Sequence, residues 1–426
     1  MNKHKFLPRC GMVCAALLTH SVGAAPMEGF PPPPDMRVTK ANAFTAPYLR
    51  WSASHAREVS PTRAIRRAAT PVPLAAGGQA SLGTTQFEAG ERGLSVDDYL
   101  RDTVTDGFIV LHRGQVVYQR TFDGFEDRQP HIWASMTKSV TGLLATQLMA
   151  EGKLAPAAKL AQYVPELAGT PFGEATVQQN LDMQVPVAYP ADVPPDLGLF
   201  AAAGLIPRKP GMPEDIYSFL KVAQTVPGSA PLFFYQNGSP EALAWAMRRI
   251  TGQSWAALVS ERIWSRFAED DAYVQVDALG TEMASGGISA SLRDTARFAE
   301  LLRQTYAAPT ATDSFSQAVR GLFEGEGTPE RFAKGNLAPG RPGYGYHNYW
   351  FRMNDGDGSI QASGRFGQRI YINPRQEVVI VKLSATPDQA PRATTAEGGP
   401  NVAARAVDSN ATFDAMVRAV AKAVGR

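Results

Sequence analysis

Hydrophobic residues recur with two different periods along the chain, and each period predicts a different element. Residues 108–111 and 116–118 are short β-rich runs joined through Arg113 and Gly114, which predicts a β-hairpin. Within residues 135–149 the apolar positions instead have helical spacing, at Val140, Leu143, Leu144 and Leu148. A strand pair is therefore followed by a long helix.

The rest of the pattern predicts helices in the middle of the chain and strands towards its end. Further helices are predicted at residues 96–101, 213–222, 240–250, 254–267, 292–304 and 413–424. Ser291 and Asp294 have the spacing of a capping box for the helix at residue 292. Strands are predicted at residues 346–353, 359–373 and 377–383, and their short connections require antiparallel neighbours.

These elements predict an α+β fold. Two strands at the start and three at the end give one antiparallel sheet of about five strands, flanked by helices. Residues from about 150 to 300 are expected to form a mainly helical lobe inserted into this α/β part. A cleft is expected between the sheet and the lobe.

Composition and charge restrict the class of protein. Of the 426 residues, 44% are hydrophobic and 19% are charged, which is typical of a globular protein. The 42 basic and 40 acidic residues give a net charge of +2, so the sequence does not indicate a nucleic-acid partner.

The first 24 residues have the composition of a secretory signal peptide. A basic start is followed by an apolar run over residues 12–18 and by small residues up to Ala24. The run is shorter than the roughly 20 residues that span a bilayer, so we expect cleavage after about Ala24 and no membrane span afterwards. The protein is then periplasmic or secreted, with a proline-rich extended arm at residues 25–76 and its main domain at residues 77–426.

Several kinds of chemistry are excluded by missing motifs. Both cysteines lie in the first 24 residues, so cleavage leaves no thiol. The remaining histidines are scattered and have no metal-binding spacing, and no glycine-rich nucleotide-binding loop occurs. The sequence therefore predicts no metal and no cofactor. A Gly-x-Ser-x-Gly pentapeptide is absent as well, which argues against an α/β-hydrolase.

A serine and a lysine one helical turn apart are the strongest candidates for catalysis. Ser135 and Lys138 stand at the start of a predicted helix, where positions three apart lie about 60° apart on one face. Lysine acts as a base only when it is neutral, and burial against Trp133 and the positive end of the helix dipole both favour that form. The alternative for Ser135 is a helix N-cap alone. Ser218 and Lys221 have the same spacing, but Ser218 lies inside a predicted helix, where its hydroxyl can bond to a carbonyl of that helix.

Tyr235 and Asn237 form a second candidate motif. They precede the helix predicted at residue 240, so from a loop the phenol can reach the cleft and share the proton of Ser135 with Lys138. Asn237 can fix the lysine and a substrate carbonyl. The alternative is a loop tyrosine anchored in the core. Two further Tyr-x-Asn triplets, at residues 346–348 and 371–373, lie in predicted strands.

The order Ser135-x-x-Lys138, then Tyr235-x-Asn237, then a strand with Gly367 resembles the serine β-lactamase and penicillin-binding-protein superfamily. Within it, the sequence resembles the branch of 6-aminohexanoate-dimer hydrolases and class C-like esterases. The likeness extends to the phrases at residues 133–139, 284–288 and 293–298, and covers most of residues 90–390. The resemblance implies a β-lactamase/transpeptidase-like fold.

The resemblance also implies a covalent mechanism on a small amide or ester substrate. Ser135 attacks the carbonyl carbon, Lys138 and Tyr235 move protons, and water releases the acid from an acyl-enzyme. In the family, the oxyanion hole consists of the backbone N–H of the nucleophile and one from the edge strand. On this sequence these are the N–H groups of Ser135 and Gln368.

One departure from the family pattern bears on the substrate. Penicillin-recognising relatives usually carry Lys-Thr-Gly on that strand, whereas this chain has Arg365, Phe366 and Gly367. The guanidinium of Arg365 can clamp a carboxylate, or it can point to solvent. This departure favours an amide or ester hydrolase over the alternatives, a β-lactamase or a D-alanyl-D-alanine carboxypeptidase. An inactive binding relative is a further alternative, although it has no need of the intact Ser-Lys-Tyr set. The sequence does not indicate the natural substrate or the oligomeric state.

Overall fold

Most strands in the described part of the chain belong to two sheets, one with eight strands and the other with four. The computed structural model describes residues 25–78, 81–228, 232–308, 310–325, 327–387 and 408–425. The signal peptide predicted for residues 1–24 lies outside the described residues. Helices and largely antiparallel sheets occur in the same chain, which confirms the α+β class.

The strands define the framework that carries the site. In chain order they are β1 (Thr62–Ile65), β2 (Ala75–Ala76), β3 (Gln86–Ala89), β4 (Arg92–Ser95), β5 (Thr105–His112), β6 (Gln115–Thr121), β7 (His131–Ile132), β8 (Val187–Ala188), β9 (Gln224–Thr225), β10 (Ala272–Gln275), β11 (Ile288–Ala290), β12 (Gly345–His347), β13 (Trp350–Arg352), β14 (Ile360–Gly364), β15 (Gln368–Asn373) and β16 (Val378–Ser384). The large sheet has the order β12-β13-β14-β15-β16-β5-β6-β2, and the smaller one the order β1-β10-β11-β7. All neighbours in both sheets are antiparallel except β2 and β6.

Helices pack on the large sheet and on one another. In chain order they are α1 (Leu49–Ser54), α2 (Ala56–Val59), α3 (Val96–Asp102), α4 (Thr137–Ala150), α5 (Pro171–Glu174), α6 (Val177–Leu181), α7 (Pro195–Ala202), α8 (Ile216–Lys221), α9 (Gly238–Thr251), α10 (Trp255–Arg262), α11 (Leu292–Ala307), α12 (Ser314–Phe323), α13 (Pro329–Phe332) and α14 (Asn410–Val424). Helix α11 packs on β5, β15 and β16, whereas α4 contacts α9, α10 and α12. Among the described residues, none of these helices combines the length and the hydrophobicity needed to cross a membrane.

The elements with the clearest periodicity are confirmed. Strands β5 and β6 form the predicted hairpin, and α4 buries Val140, Leu143, Leu144 and Leu148 as the helical spacing requires. Helix α14 likewise buries Phe413, Met416, Val417 and Val420. In α14 the apolar spacing marks one buried face, whereas α4 is buried on all sides over residues 137–148, so its spacing predicted the helix but not a single buried face.

The prediction of about five strands is wrong, because two predicted strands are hairpins. Strands β12 and β13 divide residues 346–353, and β14 and β15 divide residues 359–373. The chain reverses at residues 348–349 and 366–367, where every residue has a positive φ. Three of these four residues are not glycine, so the composition of the turns gave little signal against a continuous strand. The addition of β2 brings the sheet to eight strands.

Of the two hydrogen bonds in the capping box predicted at α11, only one forms. The hydroxyl of Ser291 accepts the backbone N–H of Asp294 at 3.1 Å, as expected of an N-cap. The carboxylate of Asp294 does not return to Ser291. It accepts the backbone N–H groups of Glu269 and Asp270 at 2.9 and 2.7 Å, and so fastens α11 to a distant loop.

The segment at residues 25–76, for which the sequence predicts an extended arm, contains α1, α2, β1 and β2. Strand β1 pairs with β10 along its whole length. Leu49 and Ala53 of α1 form a small apolar cluster with Ile132 and Phe366. This segment therefore packs directly beside β7 and the turn at residues 366–367.

Candidate active site

Ser135 lies in a turn of 3-10 helix, Ala134–Met136, between β7 and α4. The preceding residue, Ala134, has a φ of 45°, in the left-handed region that residues other than glycine seldom adopt. Strand β11 holds this turn on both sides. The carbonyl of Ile288 accepts the backbone N–H of Trp133 at 2.8 Å, and the N–H of Ile288 donates to the hydroxyl of Thr137 at 3.1 Å. Ser135 is thus presented on a fixed turn, half-buried.

Lys138 is placed against Ser135 as the sequence predicts. Its side chain is 1% exposed, and its Nζ lies 3.1 Å from the Oγ of Ser135. The same nitrogen donates to Oδ1 of Asn237 at 2.6 Å and to the backbone carbonyl of Ser285 at 2.8 Å. These two oxygens can only accept, so they take two N–H groups of the lysine. The serine hydroxyl is the third partner, and it can either accept from an ammonium or donate its proton to a neutral amine.

The second serine with this spacing, Ser218, uses its hydroxyl within its own helix, which argues against it as the nucleophile. The hydroxyl of Ser218 donates to the carbonyl of Asp215 at 2.8 Å and accepts the backbone N–H groups of residues 214 and 215. Ser218 therefore closes the first turn of α8, as its position inside a predicted helix indicates.

Asn237 stands immediately before α9 and bridges Lys138 and Asp196. Besides receiving the N–H of Lys138, its amide donates from Nδ2 to Oδ1 of Asp196 at 2.7 Å. Asp196 lies in the first turn of α7 and is exposed. The amide is thus fixed with its oxygen towards Lys138.

Tyr235 is close to the lysine, but its hydroxyl makes no hydrogen bond with the described residues. The Nζ of Lys138 lies 5.1 Å from the centre of the Tyr235 ring. The ring packs near Tyr346 and Phe351, with centroid distances of 6.1 and 6.3 Å. The backbone of Tyr235 is held by a reciprocal pair of hydrogen bonds to Asn336, of 2.8 and 2.9 Å. The predicted sharing of the serine proton by this phenol stays a prediction.

Of the residues in the turn between β14 and β15, only the first two line the candidate site. Arg365 and Phe366 line the space beside Ser135, and the guanidinium carbon of Arg365 lies 5.5 Å from the ring centre of Phe200. Gly367 faces away, because a Cβ on it would approach Asp408. The side chain of Gln368 is buried and bonds to the backbone of Ser384 through both amide atoms, at 2.6 and 3.1 Å. Its side chain is therefore not available for the predicted oxyanion hole, and the role of its backbone N–H, which belongs to a residue paired with Gly364, stays a prediction.

A pocket of about 530 Å³, including open solvent at its mouth, adjoins Ser135 and is mainly apolar. It is lined by Phe44, Ile132, Ala134, Ser135, Phe200, Leu205, Asn237, Gln275, Met283, Ser285, Gly286, Arg365 and Phe366. Apolar walls around a few polar groups are the usual construction of a small-molecule site. Among the described residues, no cluster of His, Cys, Asp and Glu could hold a metal ion.

Sequence reasoning missed three contributors to this site. The carbonyl of Ser285 belongs to the phrase at residues 284–288, which supports the family resemblance but does not itself predict a role for Ser285. Asp196 follows two prolines, and nothing in its neighbourhood signals a catalytic contact. Phe44 lies in the segment interpreted as an arm, so its place in the pocket had no local signal.

Comparison of the chain with known proteins identifies its family. The model of the β-lactamase family matches residues 96–400. The 6-aminohexanoate-dimer hydrolase of Paenarthrobacter ureafaciens is 30% identical over 348 residues, which cover 80% of this chain and 87% of that protein.

Solved structures agree on the fold. A Bacillus anthracis protein assigned as a 6-aminohexanoate-dimer hydrolase has a TM-score of 0.79 and 32% identity, and the match covers 92% of this chain and 98% of that one. A Bacteroides dorei protein assigned as a β-lactamase has a TM-score of 0.53 and 15% identity over 78% of this chain and 97% of its own, a likeness of fold alone. The chain therefore belongs to the β-lactamase family of hydrolases and, within it, is similar in sequence and structure to 6-aminohexanoate-dimer hydrolases.

Proposed function

We propose that the protein is a secreted or periplasmic serine hydrolase that cleaves amide or ester bonds of small substrates through an acyl-enzyme on Ser135. One observation carries the proposal. The Nζ of Lys138 faces the Oγ of Ser135 at 3.1 Å, while its other two contacts are fixed on the oxygens of Asn237 and Ser285. When this amine is neutral, its two N–H groups are used by those oxygens, so its lone pair points to the hydroxyl of Ser135.

Acylation begins when Lys138 is neutral. The proton of Ser135 passes to Nζ as the bond from Oγ to the carbonyl carbon forms. The backbone N–H groups of Ser135 and Gln368 then stabilise the oxyanion. As the tetrahedral intermediate collapses, the bond to the leaving amine or alcohol breaks. The proton held by Lys138 reaches the leaving group through the hydroxyl of Tyr235.

Deacylation repeats the same steps with water. Lys138 and Tyr235 take a proton from water as it attacks the acyl carbon. The bond to Oγ then breaks, the acid is released, and Ser135 recovers its proton. No metal or cofactor takes part in this proposed route.

The pocket supports an apolar acyl group as part of the substrate. Phe44, Phe200, Met283 and Phe366 surround the space next to Ser135. The relatives named for 6-aminohexanoate dimers support a linear amide. We propose that Arg365, whose guanidinium lies beside the rings of Phe200 and Phe366, binds a carboxylate of such a substrate.

The nucleophile is tested with a fluorophosphonate probe and with turnover of p-nitrophenyl esters and linear amides. We expect the probe to label Ser135, and Ser135→Ala to lower turnover by about a thousand-fold or more. Ser218→Ala is the matched control, because Ser218 also stands three residues before a lysine but bonds within its own helix. Labelling of another serine, or wild-type turnover by Ser135→Ala, would overturn the assignment.

The alternatives within the family are separated by a labelled penicillin. Stable acylation of Ser135 would indicate a penicillin-binding protein such as a D-alanyl-D-alanine carboxypeptidase, and rapid turnover a β-lactamase. We expect neither, because Arg365-Phe366-Gly367 replaces the Lys-Thr-Gly of penicillin-recognising relatives.

Export is tested separately by sequencing the N-terminus of the secreted protein, which we expect to begin at Ala25. Retention of residues 1–24 on the secreted protein would contradict cleavage.

A further inference from the structure

A buried glutamate on α9 holds the loop that supplies a carbonyl to Lys138. Glu241 is fully buried, and its Oε2 accepts the backbone N–H of Ala284 at 3.1 Å. Its Oε1 accepts the N–H of the next residue, Ser285, at 2.8 Å. One carboxylate therefore fixes two successive peptide groups, and the carbonyl of Ser285 is the one that accepts from Lys138.

The loop is held from the opposite side by α4. The hydroxyl of Thr141 donates to the carbonyl of Ala284 at 2.7 Å. Thr141 and Lys138 lie three residues apart on the same face of α4, so both ends of the Ser285–Lys138 contact are tied to one helix. The loop is thus clamped between α4 and α9.

The backbone N–H groups of Ala284 and Ser285 depend on Glu241 for a hydrogen-bond acceptor. A buried backbone donor without a partner is unfavourable, so the loop would move to find other acceptors if the carboxylate were removed. Burial raises the pKa of Glu241, whereas the hydrogen bond from the backbone of Ser285 and the charge of Arg248 act in the opposite direction. Because the side chain is fully buried, the two backbone N–H groups are the partners that solvate its oxygens.

The same helix also sets the other contact of the lysine. Asn237 immediately precedes α9 and Glu241 lies in its first turn. Two of the three partners of Nζ, the amide of Asn237 and the carbonyl of Ser285, are therefore positioned by the start of α9. A shift of either partner redirects the N–H groups of Lys138 and turns its lone pair away from Ser135.

We propose that Glu241 is a positioning residue for the proton transfer between Ser135 and Lys138, acting through the backbone of Ala284 and Ser285. This inference rests on the proposed function, since it concerns the reactivity of Ser135. Glu241 touches neither Ser135 nor the pocket.

The test is the rate constant with which an excess of fluorophosphonate labels Ser135 in the full chain. We expect Glu241→Gln, which places an amide N–H₂ against one of the two donors, to lower this rate constant by about ten- to a hundred-fold. Glu241→Asp keeps the charge but withdraws both oxygens by one methylene, and we expect it to fail to restore the rate. The amplitude of labelling reports the folded fraction separately, so a partly folded preparation still gives the rate constant.

Asp294→Asn is the matched control. Asp294 is equally buried and also accepts two successive backbone N–H groups, but those of Glu269 and Asp270. We expect it to lower thermal stability and leave the labelling rate constant unchanged. If the Glu241 variants lose amplitude but keep the wild-type rate constant, Glu241 is merely structural and the inference is wrong. If the wild-type protein is not labelled at Ser135, the proposed function itself fails, and the two failures are thereby distinguished.

Discussion

The amide of Asn237 has a single orientation because of its two partners. Its oxygen accepts from Lys138 at 2.6 Å and its nitrogen donates to the carboxylate of Asp196 at 2.7 Å. If the amide were flipped, its N–H₂ group would face the amine of Lys138, and its oxygen would face the carboxylate of Asp196. Asp196 therefore fixes the acceptor that holds the lysine, although it does not touch the lysine itself.

A double-mutant cycle tests this linkage. We expect Asp196→Ala to lower kcat/KM for a p-nitrophenyl ester by about two- to ten-fold, the value of one hydrogen bond. Asn237→Ala is expected to cost more, because Nζ loses its shortest contact. In the Asn237→Ala background, Asp196→Ala should have no further effect, since its only described partner is gone. Equal losses in both backgrounds would show that Asp196 acts independently of Asn237.

At this scale the sequence revealed contacts set by local geometry. The Ser135–Lys138 contact follows from two positions on one turn of a helix, so it could be predicted and is confirmed at 3.1 Å. The Ser285 contact could not, because a backbone carbonyl has no residue identity and lies 147 positions away from Lys138. Glu241 was missed for the same reason, since its partners are backbone N–H groups.

Among the elements, the turn between β14 and β15 is closely constrained by its surroundings. Gly367 has a φ of 90°, and a Cβ added to it would lie 2.6 Å from the Asp408 carboxylate and 3.1 Å from the amine of Lys382. Lys382 is buried, which lowers its pKa to about 8, while the charge of Asp408 acts in the opposite direction. The turn thus rests on a buried charged pair on the side away from the pocket.

Gly367→Ala is expected to destabilise the protein by more than backbone strain alone. The positive φ costs about 1–2 kcal/mol for a residue with a Cβ. Crowding against Asp408 and Lys382 adds to that loss and shifts Arg365 and Phe366 at the pocket. Urea denaturation measures the free energy of unfolding. The control is Gly343→Ala, which has a φ of 77° but no atom within 4 Å of the added Cβ. Equal losses in the two variants would contradict a role for the crowding.

This turn also marks the limit of sequence reasoning about elements. Periodicity identified α4 and the β5–β6 hairpin, because their apolar residues recur at helical spacing and as short β-rich runs. It extended one strand through residues 359–373, since the reversal at Phe366 places an aromatic residue in a conformation that glycine usually adopts. The packing of Phe366 in a small apolar cluster with α1 stabilises that conformation, and no local pattern predicts such a contact.

At the scale of the whole molecule, the segment before residue 77 completes the pocket. Phe44 stacks on Phe366 with ring centres 5.8 Å apart and planes at 9°, and both rings line the space beside Ser135. Strand β1 fastens the same segment to β10. A segment that the sequence indicates as an arm therefore contributes directly to the walls of the candidate substrate site.

Phe44→Ala is expected to weaken binding of apolar acyl groups. Removal of the ring opens the pocket wall, and the loss of part of the 1.5–3 kcal/mol that burial of a phenylalanine provides corresponds to an increase in KM of about ten-fold. We expect kcat to change little, because the Ser135–Lys138 geometry does not involve Phe44. A series of p-nitrophenyl esters of increasing chain length measures the effect, which should grow with chain length as more of the acyl group meets the wall. Phe30→Ala is the matched control, since Phe30 belongs to the same segment but is fully exposed. A KM that is unchanged in Phe44→Ala, or raised equally in both variants, would place the acyl group elsewhere.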